Sequence, residues 1–472
     1  MPICTQESGM KFPLATGCLA LVFGCAGMRL AAQQNPALVP SHVVASQAET
    51  AKPIPAPSKQ QRLLFDDLNS HLPKWLCFSG EYRLRGEGYT GGAFKPDHDD
   101  AYLLSRLRLN MTIRPAAWLK FSFQAQDAHV FWKSQRPAAP PFQDTFDLRQ
   151  GYVEIGDIEK GTVGFRAGRQ ELAFGDERLI GNANWLNTAR SFDGLRGTYR
   201  RKGYRLDAFA SRVVRLQDRE LDWETPGNNF YGIYGGLEQL VPKAIVEPYF
   251  LWRRSSGLKT ETGTPGISNF ATVGFRWVGK LPANWDYGVE AAKQNGSLGT
   301  DSISAWAGHW VLGYSLASAR LHPRLSLEYN FASGDHNSTD GKRGTFDQLY
   351  ATAHDKYGLA DQVGWKNIRN ARASVELRPT KKWAVVGRYD AWWLADSHDA
   401  LYSAANSVVA KVASGTAGRF VGQEVDAVVA YNLSRQFQFS GGFGHIFPGT
   451  FLKNATPGHS YNFPYATTSF VF

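Results

Sequence analysis

Long apolar segments are nearly absent from this sequence. Beyond its N-terminus the chain has no run of about 18 apolar residues, which excludes transmembrane helices there. Apolar stripes with helical periodicity are also scarce, and the mean hydropathy of −0.33 favours neither a soluble nor a membrane protein. Transmembrane β-strands remain compatible with this composition, because they alternate apolar and polar residues and are not hydrophobic on average.

Cysteine is rare as well, with four in 472 residues. Three of them fall in residues 1–32, which have the features of a signal peptide: a basic start, an apolar core at 14–27 and small residues before Gln33. We expect its removal to leave Cys77 as the only thiol, without a disulfide in the mature chain. This excludes a small secreted fold held together by disulfides.

The formal net charge is +10, and a basic chain favours anionic partners. The predicted export signal argues against nucleic acid as that partner. Residues 33–72 are rich in Ala, Pro, Gln and Ser, which predicts a periplasmic linker. No composition shift marks a boundary after about residue 72, so we expect one domain over residues 73–472.

Strict alternation of apolar and polar residues predicts β-strands. In residues 103–114, Leu107, Leu109 and Met111 alternate with Arg108 and Asn110, and the same pattern recurs at 119–126, 272–277, 324–331, 370–377 and 424–431. The chain ends in Phe472, as many outer-membrane barrels do. Aromatic residues near strand ends predict interfacial girdles; they are Trp75, Trp118, Trp277, Trp285, Trp383, Trp392 and Trp393.

Connections between these strands alternate in length. Short turns are predicted at 157–161, 200–203, 279–284, 379–382 and 434–436, and long loops at 212–228, 253–268, 334–364, 396–418 and 448–464. This pattern predicts an all-β fold, a transmembrane antiparallel barrel of about 18 strands with short periplasmic turns and long outer loops. A barrel of that size leaves an aqueous channel. We expect a monomer surrounded by outer-membrane lipid.

Two blocks of sequence carry a resemblance to a known family. The first contains LRQGYVE (148–154), GRQE (168–171), FGDERLIG (174–181) and RSFD (190–193), with Trp185 and Asn187. The second contains SGD (333–335) and TFDQLY (345–350), followed by His354, Tyr357 and Gly358. Together they resemble the alginate export porin family. The resemblance implies an 18-stranded bacterial outer-membrane barrel whose arginine-lined lumen passes an anionic uronic-acid polymer.

Arginines on the polar strand faces are the predicted substrate path, because a guanidinium matches a carboxylate with two parallel hydrogen bonds. Parity assigns six of them to the lumen: Arg106, Arg108, Arg166, Arg276, Arg372 and Arg388. Arg169 has the apolar parity unless Gly168 forms a bulge, so Arg169 and Arg190 are included because of the family resemblance. Arg196 and Asp193, from the same arginine-rich stretch (168–196), complete the predicted lumen set.

These arginines have two interpretations that remain open. They could contact a permeating anion, or they could pair with wall carboxylates and merely brace the barrel. Asp176 and Arg178 are predicted to hold a loop folded inward. We predict no catalytic residue, no cofactor and no metal, with one alternative: Asp335, Asp340, Asp347 and Asp355 in the 334–364 loop could bind Ca²⁺.

The predicted function is passage of an anionic polysaccharide or oligosaccharide, alginate-like in its uronate chemistry, across the outer membrane. Periplasmic proteins that deliver a polymer to the barrel are expected partners. A general anion-selective porin for small solutes is the first alternative, and a surface scaffold or adhesin is the second. An enzyme is not predicted, because no Gly-x-Ser-x-Gly motif occurs in a strand-to-helix context.

Overall fold

The computed structural model describes residues 64–135 and 138–472. The predicted signal peptide and most of the predicted linker lie outside these residues. The helices are short: α1 is Leu64–His71, a 3-10 turn is Gly92–Phe94, and α2 is Thr450–Ala455. No helix in the described ranges is long and apolar enough to cross a membrane.

Strands make up most of the described chain. In order they are β1 Leu76–Tyr89, β2 Asp100–Ala116, β3 Leu119–Phe131, β4 Asp144–Gly156, β5 Val163–Gln170, β6 Phe192–Arg201, β7 Tyr204–Arg215, β8 Trp223–Leu237, β9 Ala244–Lys259, β10 Pro265–Lys280, β11 Trp285–Leu298, β12 Asp301–Ser315, β13 Arg324–Ala332, β14 Lys342–Arg343, β15 Ile368–Thr380, β16 Trp383–Leu394, β17 Leu401–Tyr402, β18 Val408–Ala410, β19 Phe420–Asn432, β20 Phe437–Pro448 and β21 Tyr461–Val471. The short strands β14, β17 and β18 lie within loops, and the other eighteen build the barrel.

The eighteen long strands form one closed antiparallel barrel. Each pairs with its neighbour along the chain, and β13 pairs directly with β15. Pairing of Tyr82 in β1 with Phe470 in β21 joins the first strand to the last. Closure satisfies the backbone groups that an open sheet edge would expose to lipid. The prediction of an antiparallel barrel of about 18 strands is therefore confirmed.

One end of the barrel, here named the turn end, has connections of two to eight residues. The opposite end, the loop end, has the longest connections, together with the two-residue turn 299–300 between β11 and β12. The predicted turns lie at the turn end, for example 202–203 and 381–382. Two predicted long loops are shorter than expected, 216–222 and 260–264. The reason is that β8, β9 and β10 continue past the apolar band, where they lose the alternation that marks a membrane-embedded strand.

The barrel has its charges inside and its apolar side chains outside. Large apolar residues in mid-strand are exposed on the outer surface, including Leu109, Leu195 and Leu327. Arg106 and Glu424 are nearly fully buried on the opposite face. This distribution is the reverse of that in a soluble protein and fits a lipid-facing exterior around a polar interior.

The predicted aromatic girdle holds at the turn end, where Trp118 is 59% exposed and Trp75 and Trp383 are also exposed. Trp392 is an exception and a correction to the prediction, because only 1% of it is exposed. Adjacent residues on a strand point to opposite faces, so residues two apart share a face. Trp392 therefore lies on the inward face of β16 together with Asp390. Trp393 is the member of this pair that faces outward.

Cys77 lies in β1, and the other three cysteines lie outside the described residues. The prediction of a single thiol concerns the chain after signal removal, which this structure does not represent.

Two loops at the loop end, 171–191 and 333–367, are folded into the barrel. They pair with each other through a parallel bridge between Ile180 and Tyr350. Tyr350 N donates to Leu179 O at 2.9 Å, and Thr352 N donates to Glu177 O at 2.9 Å. Aromatic side chains of both segments pack into a common core with Trp365 and Phe346, both 0% exposed. The two loops narrow the interior where the polar wall would otherwise enclose only water.

The inverted polarity predicts how outward-facing positions respond to charge. Leu327, in the middle of β13, is 69% exposed on the outer face. We expect Leu327→Arg to lower the free energy of unfolding in lipid vesicles by about 2–4 kcal/mol, since it places a cation within the lipid-facing band. Urea titration in vesicles measures this change.

The matched control is Leu433→Arg, in the turn at 433–436, where Leu433 is 45% exposed. An interfacial arginine costs about 0–1 kcal/mol. Equal effects of the two substitutions would contradict the assignment of a lipid-facing surface.

Candidate functional site: the charged interior

Two groups of ion pairs line the inner wall near the turn end, one on β3 to β5 and one on β6 to β10. Lys120 Nζ lies 2.8 Å from Glu154 Oε1, and Arg166 Nη2 lies 2.6 Å from Glu154 Oε2. Arg166 stands opposite Arg196 in the register of β5 and β6. Arg196 Nη2 in turn lies 2.8 Å from Asp207 Oδ1.

The second group continues along β7 to β10. Arg205 bridges two acids, with Nε 3.1 Å from Asp207 Oδ2 and Nη2 3.0 Å from Glu247 Oε1. Arg276 Nη1 lies 2.6 Å from Glu247 Oε2. Five cations thus share three carboxylates on β3 to β7, β9 and β10, and Glu290 lies opposite Arg276 in the register of β10 and β11. With Glu290 counted, the group still carries an excess of positive charge. We name these cations the basic belt; they are Lys120, Arg166, Arg196, Arg205 and Arg276.

The basic belt presents its cations to the lumen more than its acids. The side chains of the three acids are at most 7% exposed, whereas those of the cations range from 9% for Arg166 to 24% for Arg205. In each pair the carboxylate is therefore the more buried member and the cation the more accessible one. The same residues can thus brace the barrel wall and contact an anion.

A second group of arginines, on β1 and β2, holds the inward loop 171–191. Arg83 donates to the carbonyls of Asn184 and Trp185, both at 3.1 Å. Arg106 Nη1 donates to Asn184 O at 2.9 Å, and its Nη2 lies 2.6 Å from Glu81. Backbone carbonyls that point at the wall in place of carboxylates explain why arginine, with its five donors, occupies these positions.

Arg108 belongs to the same wall, and its contacts differ from those of the belt. Its Nε donates to Gln126 Oε1 at 2.8 Å and its Nη1 to Asn184 Oδ1 at 2.7 Å. Both acceptors are neutral amides, and Arg108 forms no ion pair in the described part of the chain. Arg106 and Arg108 therefore lie on the inner wall, where parity placed them, but they contact a loop.

An aromatic stack connects the two inward loops. Arg85 lies over the ring of Trp185, 3.8 Å from its centroid. His354 stacks on the same ring at 3.7 Å with an interplanar angle of 7°. His354 in turn contacts Asp361 at 2.8 Å. Trp185 therefore joins the wall strand β1 to both loops.

Asp176 and Arg178 lie at the junction of both loops with the wall. Arg178 contacts Asp176 and Glu328 at 3.1 Å each and donates to the Tyr357 hydroxyl at 3.1 Å. Lys356 Nζ lies 3.0 Å from Asp176 Oδ1. Although burial opposes the charged form, the neighbouring Tyr357, Glu328 and Asp176 raise the pKa of Arg178 above its usual value. This cluster couples the position of loop 171–191 to that of loop 333–367.

Arg372 and Arg388, also placed on the lumen face by parity, anchor loop 333–367 from the opposite side. Arg372 Nε lies 3.0 Å from Asp390 Oδ1, and its Nη1 donates to the carbonyl of Asp355 at 3.0 Å. Arg388 pairs with the Asp355 carboxylate. These two residues are 7% and 9% exposed and are occupied by wall and loop acceptors.

Arg169 and Asp193 are not on the lumen wall, which corrects the prediction. The guanidinium of Arg169 donates two hydrogen bonds to the Asp193 carboxylate, at 2.9 and 3.0 Å. Both residues lie on the strand face that carries the exposed Phe165 and Leu195. The pairing of β5 with β6 is continuous from Val163 to Gln170. Gly168 adopts a φ of +119° without shifting this register, so Arg169 keeps its outward parity.

Arg190 lies on the inward loop and not on the wall. Its Nη1 donates to the carbonyl of Gly181 at 3.0 Å and to that of Ala351 at 3.1 Å, and it also donates to the carbonyl of Tyr350. Burial lowers the pKa of Arg190 to about 10. It therefore secures the contact between the two inward loops.

A cavity of about 230 Å³ lies at the loop end, between the wall and loop 333–367. Three cations line it, Arg253, Arg343 and Lys366. Arg253 pairs with Asp347 at 3.1 Å and Arg343 with Asp301 at 3.3 Å. Lys366 donates to Asn406 at 3.1 Å, and burial lowers its pKa. The cavity gives the loop end a second basic surface.

The aspartates of the 334–364 loop are dispersed among different partners. Asp347 pairs with Arg253 and Asp355 with Arg388, and Asp335 N donates to Asp399. Asp340 Oδ1 accepts from Lys342 N. Because these carboxylates do not converge, the structure offers no support for the alternative of Ca²⁺ in this loop.

Several functional residues were missed by the sequence analysis. Alternation alone could have found Arg83 and Arg85, because Glu81, Arg83, Arg85 and Glu87 occupy one face of β1. Lys120 lies on the polar face of the predicted strand 119–126 but was not selected, because the predicted path was restricted to arginines. Arg205 lies beside a short turn, where no alternating segment was used. The lining of the cavity by Lys366 depends on the path of an irregular loop and has no signal in the sequence.

The architecture defines the class of protein: a closed 18-stranded barrel with an apolar exterior and a charged interior, the structure of outer-membrane porins. A family model described as Alginate export matches residues 74–465. The chain therefore belongs to the alginate export family. No curated protein was found to match the sequence.

Solved structures of similar fold are outer-membrane barrels. OpdQ of Pseudomonas aeruginosa has a TM-score of 0.57 and 11% identity, covering 85% of this chain and 99% of that chain. OccAB2 of Acinetobacter baumannii has a TM-score of 0.56 and 10% identity, covering 84% and 98%. P. aeruginosa OccD3 (OpdP) has a TM-score of 0.52 and 12% identity, covering 84% and 91%. At these identities the likeness concerns the fold alone.

The contacts of Arg178 predict that it controls the position of both inward loops. Arg178→Met leaves the buried Glu328 without this partner, and removing one member of a buried ion pair costs about 3–5 kcal/mol. We expect the loops to leave the wall, which raises single-channel conductance and allows trypsin to cleave after Lys356, a residue that is 7% exposed.

Arg320→Met, at an exposed position in the turn at 316–323, is the control and should change neither property. Unaltered conductance and protection of Lys356 in Arg178→Met would show that Arg178 does not hold the loops.

Proposed function

We propose that this outer-membrane barrel passes anionic polysaccharide or oligosaccharide of the uronate type, with the basic belt as the surface that the carboxylates contact. The observation that carries the proposal is the unequal exposure within the belt. Five cations face the lumen while their three carboxylates are recessed behind them.

This arrangement has the properties that permeation requires. Guanidinium groups held in place by recessed acids keep donors directed at the lumen, and each can form forked bonds with a carboxylate. The acids also reduce the net field, so that an anion is attracted but released again. Several moderate sites in succession suit a polymer, whose repeated carboxylates can move from one site to the next.

The family supports a polymeric substrate over a small one. Membership of the alginate export family rests on a match that includes both inward loops and the belt strands. The basic cavity at the loop end supports a path with cations near both ends of the barrel. A general porin for small anions remains the alternative, and the same belt would serve it.

Block of single-channel current by a short oligouronate tests the proposal. We expect it to block the wild-type pore at lower concentration than a neutral oligosaccharide of equal length. Arg205→Gln and Arg276→Gln should each weaken the block about tenfold, since a hydrogen bond to a charged group contributes about 1.5–3 kcal/mol. Each variant leaves Glu247 paired with the other arginine, which preserves the wall.

Arg369→Gln is the matched control, because Arg369 is exposed on the outward face of β15 and should leave the block unchanged. A pore that conducts anions but is blocked no better by oligouronate than by acetate would favour the small-anion alternative. A cation-selective pore would contradict both, and a barrel that never conducts would favour the scaffold.

A further inference from the structure

Three aspartates that the proposed function does not use converge at the loop end. Asp144 begins β4, Asp147 follows on the same strand, and Asp222 ends the loop before β8. One carboxylate oxygen from each lies within 4.8 Å of the other two. The three residues are buried, with exposures of 2%, 4% and 6%.

Two of these carboxylates are fixed by backbone donors, and the third is not. Asp147 Oδ2 accepts from Asp222 N at 2.6 Å, and Asp222 Oδ1 accepts from Gln217 N at 2.8 Å. Asp144 is directed at the same cluster, yet its buried Oδ1 has no hydrogen-bond partner among the described residues. An unpartnered carboxylate oxygen in this setting needs a ligand that the chain does not supply.

The surrounding charges do not balance the cluster. Within residues 64–135 and 138–472, no lysine, arginine or histidine forms an ion pair with any of the three carboxylates. Arg169 reaches only the backbone carbonyl of Asp222, at 2.8 Å, and its guanidinium is forked onto Asp193. Asp218 lies in the same loop as Asp222 and adds a further negative charge. Buried like charges are expensive unless they are protonated or bind a cation.

We propose that Asp144, Asp147 and Asp222 form a binding site for a divalent cation of the calcium type. Carboxylate oxygens are the ligands that Ca²⁺ prefers, and its flexible coordination accepts further carbonyls and waters. Mg²⁺ requires stricter octahedral geometry and retains more of its own water. In an outer-membrane barrel the loop end faces the external medium, from which the ion would enter.

The site would fasten the loop at 216–222 to the start of β4. Asp218 in this loop already accepts hydrogen bonds from Gln143 and Thr145 around the start of β4. A cation shared by both segments converts mutual repulsion into a cross-link. The site is on the rim, separate from the basic belt near the turn end, so it does not depend on the proposed transport function.

Calcium binding can be measured on the full chain, folded in detergent and stripped with a chelator. We expect Ca²⁺ to raise the urea midpoint of unfolding and to displace Tb³⁺, whose luminescence Trp223, next to Asp222 in the sequence, should sensitise. Asp144→Asn should weaken Ca²⁺ binding at least about tenfold, because changes around a metal site cost 10–100-fold in affinity. Mg²⁺ at equal concentration should have a smaller effect.

The control is Asp97→Asn, an exposed loop-end aspartate, which should keep the wild-type response to Ca²⁺. In chelator, Asp144→Asn should be at least as stable as the wild type, because it removes one of the repelling charges. This sign distinguishes a lost ligand from a damaged fold. A wild-type midpoint that does not respond to Ca²⁺, or an Asp144→Asn protein that responds as the wild type does, would overturn the proposal.

Discussion

Burial of charge inside a closed barrel is the constraint on which the rest of this structure depends. Lipid around the barrel forces apolar side chains outward, so charged side chains are confined to a narrow interior, where each needs a partner or water. The basic belt meets this requirement by sharing carboxylates between cations. The arginines of β1 and β2 meet it differently, by donating to the carbonyls of an inward loop such as that of Trp185.

The same constraint links the wall to the inward loops. A loop that crosses the interior needs acceptors for its amides and donors for its carbonyls, and the wall supplies both. Glu424 accepts from Ala360 N at 2.8 Å, while Arg372 donates to the carbonyl of Asp355. Wall charge is thus arranged in two ways in one barrel: near the turn end cations and carboxylates pair along the wall, and near the inward loops wall charges bind loop backbone and side chains.

The strands and the barrel could be predicted from the sequence because lipid outside and water inside enforce alternation, as in residues 103–114. Parity also placed Arg166, Arg276 and Arg372 on the inner wall. Arg169 was assigned to the lumen wrongly, since a family motif does not by itself specify which face a residue occupies. Contacts between loops, such as Ile180 with Tyr350, join distant irregular segments and leave no periodic signal.

If recessed carboxylates leave the lumen with an accessible excess of positive charge, the pore should select for anions. The reversal potential of the wild-type protein in a planar bilayer under a KCl gradient measures this selectivity. We expect a reversal potential displaced toward the chloride equilibrium value. This displacement should become smaller at higher salt, because salt screens the charges of the wall. A reversal potential displaced toward the potassium equilibrium value would show that the acids control the lumen and would contradict an excess of positive charge there.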